Sequence, residues 1–396
     1  MSWEKVKLED CCISISDGDH MPPPKSKTGI PFITISNINS TNQIDFSDTM
    51  FVPLEYYDNV ADKRKAKAGD ILYSVVGSYG IPVLIKEDTP FVFQRHIAIL
   101  RPNEKVYYRF LYYSMISREF YMEAEAVAVG AAQKTIGLAP LRKLKISCPK
   151  IETQKRIADI LSVYDNLIEN NQKQIKLLEE AAQRLYKEWF LDLRFQGYEN
   201  TEIVDGVPEG WHHGVLGEIA YESGKRCKKE MRHKYKYYLP IDCLPKKSLA
   251  YTECKSIYEA ESSLVSFENN DILFGAMRSY FHKVVIARDN GLTRSTCFVL
   301  NAIELEFWAF LSMLLFSTDC INYATQISVG TTMPYVRWKD FCIMPVLIPD
   351  KQIGQQFCDL ISPIICNIKT LSMEHQKLVQ ARNRLLPKLM NGEMEV

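Results

Sequence analysis

The sequence predicts an α+β chain with two similar globular domains, each a small curved sheet with helices, separated by two long helices that form an antiparallel coiled coil. One observation is an internal repeat at an offset of about 200 residues, in which DILY at 70–73 recurs as DILF at 271–274. Another is a long helical run after each globular part. A duplicated chain predicts a pseudo-two-fold molecule, which suits a target with two half-sites.

The repeat sets the predicted domain boundaries. We expect a first globular domain at 1–150, a central helix at 151–195, a second globular domain at 196–348 and a C-terminal helix at 349–396. The start of the second domain, 196–210, is polar and contains Gly and Pro, which is typical of a linker.

Short apolar runs rich in β-branched and aromatic residues predict strands in both globular domains. A helical stretch follows these runs in each domain, at 107–128 and at 305–325. The predicted strands lie at 31–35, 71–76, 81–85 and 97–100 and, in the second domain, at 272–276, 284–287 and 297–300.

Both long helical runs carry a heptad pattern, which predicts a coiled-coil seam. Residues 152–190 contain no Gly or Pro and would span roughly 58 Å as a helix. An Asn near the middle of each seam is expected to fix the register, and Pro363 predicts a kink or a late helix start. The alternative is that each helix only covers its own domain. The predicted seam contains Ile157, Leu161, Tyr164, Ile168, Asn171, Ile175, Leu178, Ala182, Leu185 and Trp189, and then Ile353, Phe357, Leu360, Ile364, Asn367, Leu371, Glu374, Leu378, Ala381 and Leu385.

Composition indicates a binding protein of the cytoplasm. The eleven Cys form no Cys-x-x-Cys pair, which argues against a zinc ribbon and fits a reducing compartment. The N-terminus carries no apolar signal run, and the most apolar stretch, 307–316, is too short to cross a bilayer. Phosphate-loop, Gly-x-Ser-x-Gly and His-Glu-x-x-His motifs are absent, so we expect no catalytic residue, metal or bound cofactor. A stand-alone DNA-modifying or DNA-cleaving enzyme and a pure interaction scaffold remain alternatives.

Positive charge is concentrated locally, although the 48 Lys and Arg balance the 48 Asp and Glu. The segment 221–250 has an excess of six positive charges and four interleaved Tyr, which predicts a surface that contacts DNA phosphates. A smaller basic cluster lies at 63–67, where a solvated face is an equal alternative. The candidate phosphate contacts of the larger segment are Lys225, Arg226, Lys228, Lys229 and Arg232.

Base recognition requires forked or amide side chains on loops that the sheet supports. Candidates occur at two places that we align between the halves, although each alone could be an ordinary surface residue. Arg278 and Arg294 could each bind guanine, and Gln94 and Gln133 could each bind adenine. One place has Ser78, Tyr79, Gln94 and Arg95, aligned with Arg278, Tyr280 and Arg294; the other has Gln133 and Lys134, aligned with Thr331 and Thr332.

Seven motifs follow one another along the chain: 70–74 (DILYS), 144–149 (LKISCP), 152–161 (ETQKRIADIL), 168–171 (IENN), 182–190 (AQRLYKEWF), 207–211 (VPEGW) and 386–393 (LPKLMNGE). They resemble the specificity subunits of type I restriction-modification systems, and the resemblance covers the whole chain. The resemblance implies two target-recognition domains, each recognising half of a split site in double-stranded DNA, with two conserved helices setting the gap. It implies docking of two modification subunits that use S-adenosylmethionine, and of restriction subunits whose motor and nuclease require ATP and Mg. The second half lacks the QKRIA run, so equal partner binding at both helix ends is not implied.

Overall fold

The structure is a computed structural model that describes residues 3–20, 22–39, 41–131 and 133–396. The chain divides into two compact units, the first formed by Met1–Asn166 with Gln380–Val396 and the second by Leu167–Val379. This division cuts through the predicted helical segments 151–195 and 349–396, because each unit contains a part of both long helices. Among the described residues, no helix combines the length and apolar character needed to cross a membrane.

The first unit contains short strands, short helices and the start of a long helix. Its described strands are β1 (Glu4–Lys7), β2 (Cys12–Asp17), β3 (Ile30–Ile33), β4 (Met50–Val52), β5 (Ile71–Ser74), β6 (Pro82–Leu84), β7 (Val92–Phe93), β8 (Ile97–Pro102) and β9 (Lys145–Cys148). Its described helices are α1 (Leu8–Cys11), α2 (Leu54–Asp58), α3 (Tyr108–Ile116), α4 (Arg118–Val127), α5 (Leu138–Lys143) and the start of α6 (Ile151–Tyr186).

The second unit repeats this layout after the end of α6, which continues as a π-helix, Lys187–Leu191. Its described strands are β10 (Ile203–Val204), β11 (Val207–Pro208), β12 (His212–Val215), β13 (Ala220–Glu222), β14 (Arg226–Cys227), β15 (Tyr237–Tyr238), β16 (Leu264–Phe267), β17 (Ile272–Gly275), β18 (Val284–Ile286), β19 (Gly291–Arg294), β20 (Cys297–Ala302) and β21 (Pro345–Ile348). Its described helices are α7 (Trp308–Leu315), α8 (Thr318–Gln326), α9 (Trp338–Phe341) and the first part of α10 (Lys351–Met390).

The same sheet occurs in both units, which confirms the predicted α+β repeat. The strand order is β2-β8-β5-β6 in the first unit and β13-β20-β17-β18 in the second. A second sheet, β4-β3-β7 or β14-β16-β19-β15, contains a parallel pair in each case. A separate antiparallel pair, β1 with β9 or β12 with β21, joins the start of each globular part to its end.

The central strands are apolar throughout because the sheet is covered on both faces. In β5, Ile71 and Tyr73 pack into the core that contains α3, whereas Leu72 points into a second core with Ile33 and Phe93. β17 alternates in the same way, with Ile272 and Phe274 in one core and Leu273 in another. The two DIL motifs therefore repeat because both strands meet the same packing demand.

In each unit, α6 packs against α10 in an antiparallel sense. In the first unit, Ile157 and Leu161 share a core with Leu386 and Leu389. Arg382 Nη1 donates to Asp165 Oδ1 over 2.7 Å, and Tyr113 Oη donates to Asp165 Oδ2 over 2.6 Å. The helix pair is thereby tied to α3 of the same unit.

In the second unit, later residues of α6 contact earlier residues of α10, as expected of an antiparallel pair. Ile175 packs with Ile368 and Leu371, and the ring of Trp189 lies 5.5 Å from that of Phe357. Among the predicted α6 seam residues, Ile168 and Asn171 are buried, and Leu178 and Leu185 are partly buried.

The predicted seam of α10 is wrong in its middle. Asn367 is exposed, as are Leu360 and Glu374, while Phe357 and Leu371 are buried and Ile364, Leu378 and Leu385 are partly buried. The helix packs against the globular part of the second unit as well as α6, so its apolar face is wider than a two-helix seam. Pro363 neither delays nor ends α10, which begins at Lys351 and runs through it. The residues buried in place of the predicted ones are Ile361, Ile365, Ile368, Ser372 and His375.

A buried carboxyl on α6 holds a loop of the second unit. Glu179 is 7% exposed, and its Oε1 accepts hydrogen bonds from Ser248 Oγ and from the Leu249 N–H, each over 2.7 Å. Burial raises the pKa of Glu179 to about 7, although these hydrogen bonds act in the opposite direction. The attachment therefore contains a group that titrates near neutral pH.

The Glu179→Gln variant tests this attachment. The unfolded carboxyl ionises near pH 4.5 while the folded one stays protonated to about pH 7, so the native contribution to stability falls as pH rises through this window. Removing the charge should raise the free energy of unfolding at pH 8 by about 2–3 kcal/mol and change it little at pH 4.5. Urea midpoints of the full chain at both pH values measure this, with exposed Glu188→Gln as control. An equal effect at both pH values would contradict the assignment.

Candidate nucleic-acid interface

Three loops of the first unit meet at one end of its main sheet. The Val75 N–H donates to His96 O over 2.9 Å, the Gly77 N–H to Lys134 O over 3.0 Å, and the Ile136 N–H to Val75 O over 2.8 Å. These bonds join the loop after β5, the loop before β8 and the loop between α4 and α5. The two candidate places predicted from the sequence of this half are therefore neighbours on one surface.

The side chains on this surface are mostly accessible. Ser78, Arg95, Gln133 and Lys134 are exposed, whereas Tyr79 and Gln94 are partly buried. Sheet-supported loops with accessible hydroxyl, amide and guanidinium groups have the chemistry needed to contact base edges.

Two α4 residues that sequence reasoning missed organise this surface. The rings of Tyr79 and Tyr121 are stacked with centroids 5.9 Å apart. Lys134 Nζ lies 3.1 Å from Glu125 Oε1 and 6.0 Å from the centre of the Tyr79 ring. The hydrogen bond to Glu125 raises the pKa of Lys134, which therefore remains charged. A Tyr and a Glu four residues apart in one predicted helical stretch were the available signal.

The second unit has the same junction. The Ala276 N–H donates to Thr296 O over 2.9 Å, the Arg278 N–H to Pro334 O over 2.8 Å, and the Val336 N–H to Ala276 O over 2.9 Å. Tyr280, Arg294, Thr331 and Thr332 are exposed, and Arg278 is partly buried. The junction is thus repeated together with the fold.

The equivalences between the two junctions differ from the predicted ones. Because His96 and Thr296 accept the corresponding bonds, Arg294 matches Gln94 and not Arg95. Lys134 likewise matches Pro334, so Gln133 matches Met333 and not Thr331. The alignment by sequence failed here because loop residues carry no packing pattern that fixes their register.

The basic segment of the second unit lies close to the junction by strand register. Cys227 pairs with Leu264, which pairs with Arg294, so the end of β14 and Arg294 lie at the same end of one sheet. Lys225, Arg226, Lys228 and Lys229 are exposed. Their charges form a continuation of the surface that carries Arg294.

Arg232 differs from the other basic candidates. Its Nη1 donates to Ala260 O over 2.8 Å, and its guanidinium lies 5.6 Å from the centre of the Tyr258 ring. The side chain is partly buried, so these contacts hold the Lys229–Lys234 turn against the loop that contains Tyr258. Arg232 therefore has a structural role in addition to its charge.

The basic cluster of the first unit is partly engaged within the fold. Lys65 Nζ donates to Asp58 O over 3.1 Å and lies 4.9 Å from the centre of the Tyr57 ring. Arg64 Nη2 lies 3.6 Å from Asp17 Oδ1. Within the described ranges, no group of three or more His, Cys, Asp or Glu side chains could hold a metal ion.

Comparisons with known proteins agree with this architecture. A family model described as the type I restriction modification DNA specificity domain matches residues 1–180. Over 425 residues the chain is 26% identical to the type I restriction enzyme MjaIX specificity subunit of Methanocaldococcus jannaschii, covering 100% of this chain and 94% of that protein. The chain is therefore similar to the specificity subunits of type I restriction-modification systems. This similarity supports a non-catalytic DNA-specificity subunit over a stand-alone modifying or cleaving enzyme.

Two further similarities extend the comparison. The chain is 31% identical over 217 residues to the HindI specificity subunit of Haemophilus influenzae, covering 52% of this chain and 44% of that one. Its fold is similar to the crystal structure of the S subunit of a type I system from M. genitalium, with a TM-score of 0.60, 18% identity and coverage of 98% and 96%. The predicted fold class is thereby confirmed.

The Lys228→Ala/Lys229→Ala variant tests the basic segment of the second unit. The logarithm of the DNA-binding constant falls with the logarithm of salt concentration, and each lost phosphate contact should make this slope shallower by about 0.9. The double variant should therefore have a slope shallower by about two units on any duplex sequence. Fluorescence anisotropy with a duplex of random sequence measures this. Lys173→Ala/Lys176→Ala on α6 removes the same charge elsewhere and should leave the slope unchanged. An unchanged slope in the first variant would mean that the segment is only a solvated face.

Proposed function

We propose that this chain is the specificity subunit of a type I restriction-modification system, and that each of its globular parts recognises one half of a bipartite target in double-stranded DNA. The observation that carries the proposal is the duplicated loop junction, which presents accessible polar side chains at the same sheet end in both units. Two copies of one recognition surface in one chain correspond to two half-sites in one duplex.

The candidate residues divide into two roles under this proposal. Exposed Lys and Arg on β14 and the turn after it contact phosphates and position the domain, because ionic contacts carry no sequence information. The junction loops contact base edges, because forked and amide side chains distinguish base pairs in the major groove. The proposed base-contacting set is Ser78, Tyr79, Gln94, Arg95, Gln133, Lys134, Arg278, Tyr280, Arg294, Thr331 and Thr332.

The long helices set the unrecognised gap between the half-sites. α6 has 36 residues and is therefore roughly 54 Å long, which exceeds one DNA turn of about 34–36 Å. Its packing against α10 in each unit stiffens it along its length. A spacer of this kind fixes the separation that the bipartite target must have.

The remaining exposed face of α6 docks modification subunits. Val163, Leu167 and Leu177 are 57%, 45% and 64% exposed, although the opposite face of the helix is buried. Two modification subunits would supply the S-adenosylmethionine chemistry, and restriction subunits would use ATP and Mg. The chain itself binds no cofactor in this assignment, and its free Cys residues fit a cytoplasmic complex.

Methylation mapping of the assembled complex tests the proposed function. Cells that express the full chain with the modification subunit that co-purifies with it should methylate a two-part sequence with one constant gap. Methylated sites without a second half, or with variable gaps, would overturn the proposal. DNA cleavage or S-adenosylmethionine binding by the purified chain alone would instead support the alternative that the chain is a stand-alone enzyme.

The Val163→Glu/Leu167→Glu variant tests the docking face. Charges on this exposed face should abolish co-purification of the modification subunit, because the apolar contact would have to bury two carboxylates. The substituted residues do not contribute to a core, so circular dichroism and the thermal midpoint should stay close to wild type. Gln352→Glu, exposed in the first turn of α10 and therefore off this face of α6, serves as the control. If the double variant still co-purified with the modification subunit, this face would be excluded as the docking site.

A further inference from the structure

One position of the junction has a different occupant in the two units. Gly77 and Arg278 are equivalent, since their N–H groups donate to the equivalent carbonyls of Lys134 and Pro334. Both have a positive φ, +74° and +52°. Left-handed backbone is ordinary for Gly but disfavoured for Arg, and such residues persist mainly where function requires them.

In the first unit, the Gln133 side chain occupies the space next to Gly77. A Cβ at Gly77 would lie 3.1 Å from Gln133 Nε2, so a side chain at residue 77 would crowd the Gln133 amide and shift it from its observed place. Gln133 is exposed and presents its amide from this place.

In the second unit, the arrangement is reversed. Met333 stands at the position of Gln133 and has no amide to offer. Arg278, in the loop after β17, supplies a guanidinium where the first unit has Gly77. Arg278 Nη2 donates only a long bond of 3.3 Å to Thr332 O, and Arg278 Nε is buried without a partner. An unsatisfied guanidinium nitrogen is destabilising in the free chain, which favours turning the side chain toward an outside acceptor.

We propose that both units recognise a base pair through this one position, and that Gln133 and Arg278 are its alternative occupants. Gln pairs with the N6 and N7 edge of adenine, and Arg with the O6 and N7 edge of guanine. The first half-site therefore has adenine, and the second guanine, at the corresponding base pair. This inference rests on the proposed function and assigns the base chemistry of its two surfaces.

The test transfers the arrangement of the first unit to the second. The Arg278→Gly variant of the full chain, in complex with its modification subunit, selects from a randomised duplex library. Its preference for guanine at one position of the second half-site should fall about 10- to 100-fold, with the first half-site unchanged. Adding Met333→Gln should replace guanine by adenine at that same position.

The controls separate the possible failures. Arg278→Gly should fold well because Gly tolerates positive φ, and its thermal midpoint checks this. Arg194→Gln, which removes an exposed Arg that follows the π-helix Lys187–Leu191, should leave both half-sites unchanged. A wild-type complex that selects no two-part site would refute the proposed function. A wild-type two-part site that Arg278→Gly leaves intact would refute only the shared recognition position.

Discussion

The structure depends on the burial of the apolar faces of α6 and α10, which neither helix can achieve alone. Ile157 and Leu161 of α6 are covered by the last turns of α10 and the core of the first unit. Ile175 and the residues that follow it are covered by the earlier part of α10 and the core of the second unit. Because each helix contributes to both cores, neither unit is complete without residues from the opposite half of the chain.

Polar contacts at defined positions give this apolar packing its register. Asp165 accepts hydrogen bonds from Tyr113 and Arg382, so helix pairing in the first unit is coupled to α3. Buried Arg288 of the second unit donates to Ser372 Oγ over 2.9 Å and lies over the Tyr251 ring at 4.5 Å, which couples α10 to its globular part. A sliding of either helix would leave these buried groups without partners, and such groups are destabilising when unpaired.

Elements whose apolar residues recur at a regular spacing could be predicted from the sequence. Loop positions, and a helix that packs against more than one partner, could not. The repeat, the central strands and the seam of α6 could be predicted because their apolar residues recur at 2-residue or heptad spacing. The middle of α10 was misassigned at Asn367 because that helix also covers a sheet domain. The equivalence of Gln133 with Met333 and the role of Tyr121 were missed, since backbone hydrogen bonds set the loop register and Tyr121 acts through its stacked neighbour Tyr79.

The antiparallel pairs β1–β9 and β12–β21 have an evolutionary consequence. Each pair clamps the entry and exit of a globular part side by side, immediately before a long helix begins. A segment whose ends are fastened together in this way is a self-contained cassette. Recombination within the paired strands would therefore exchange such a cassette for another of different loop sequence while leaving both long helices unchanged.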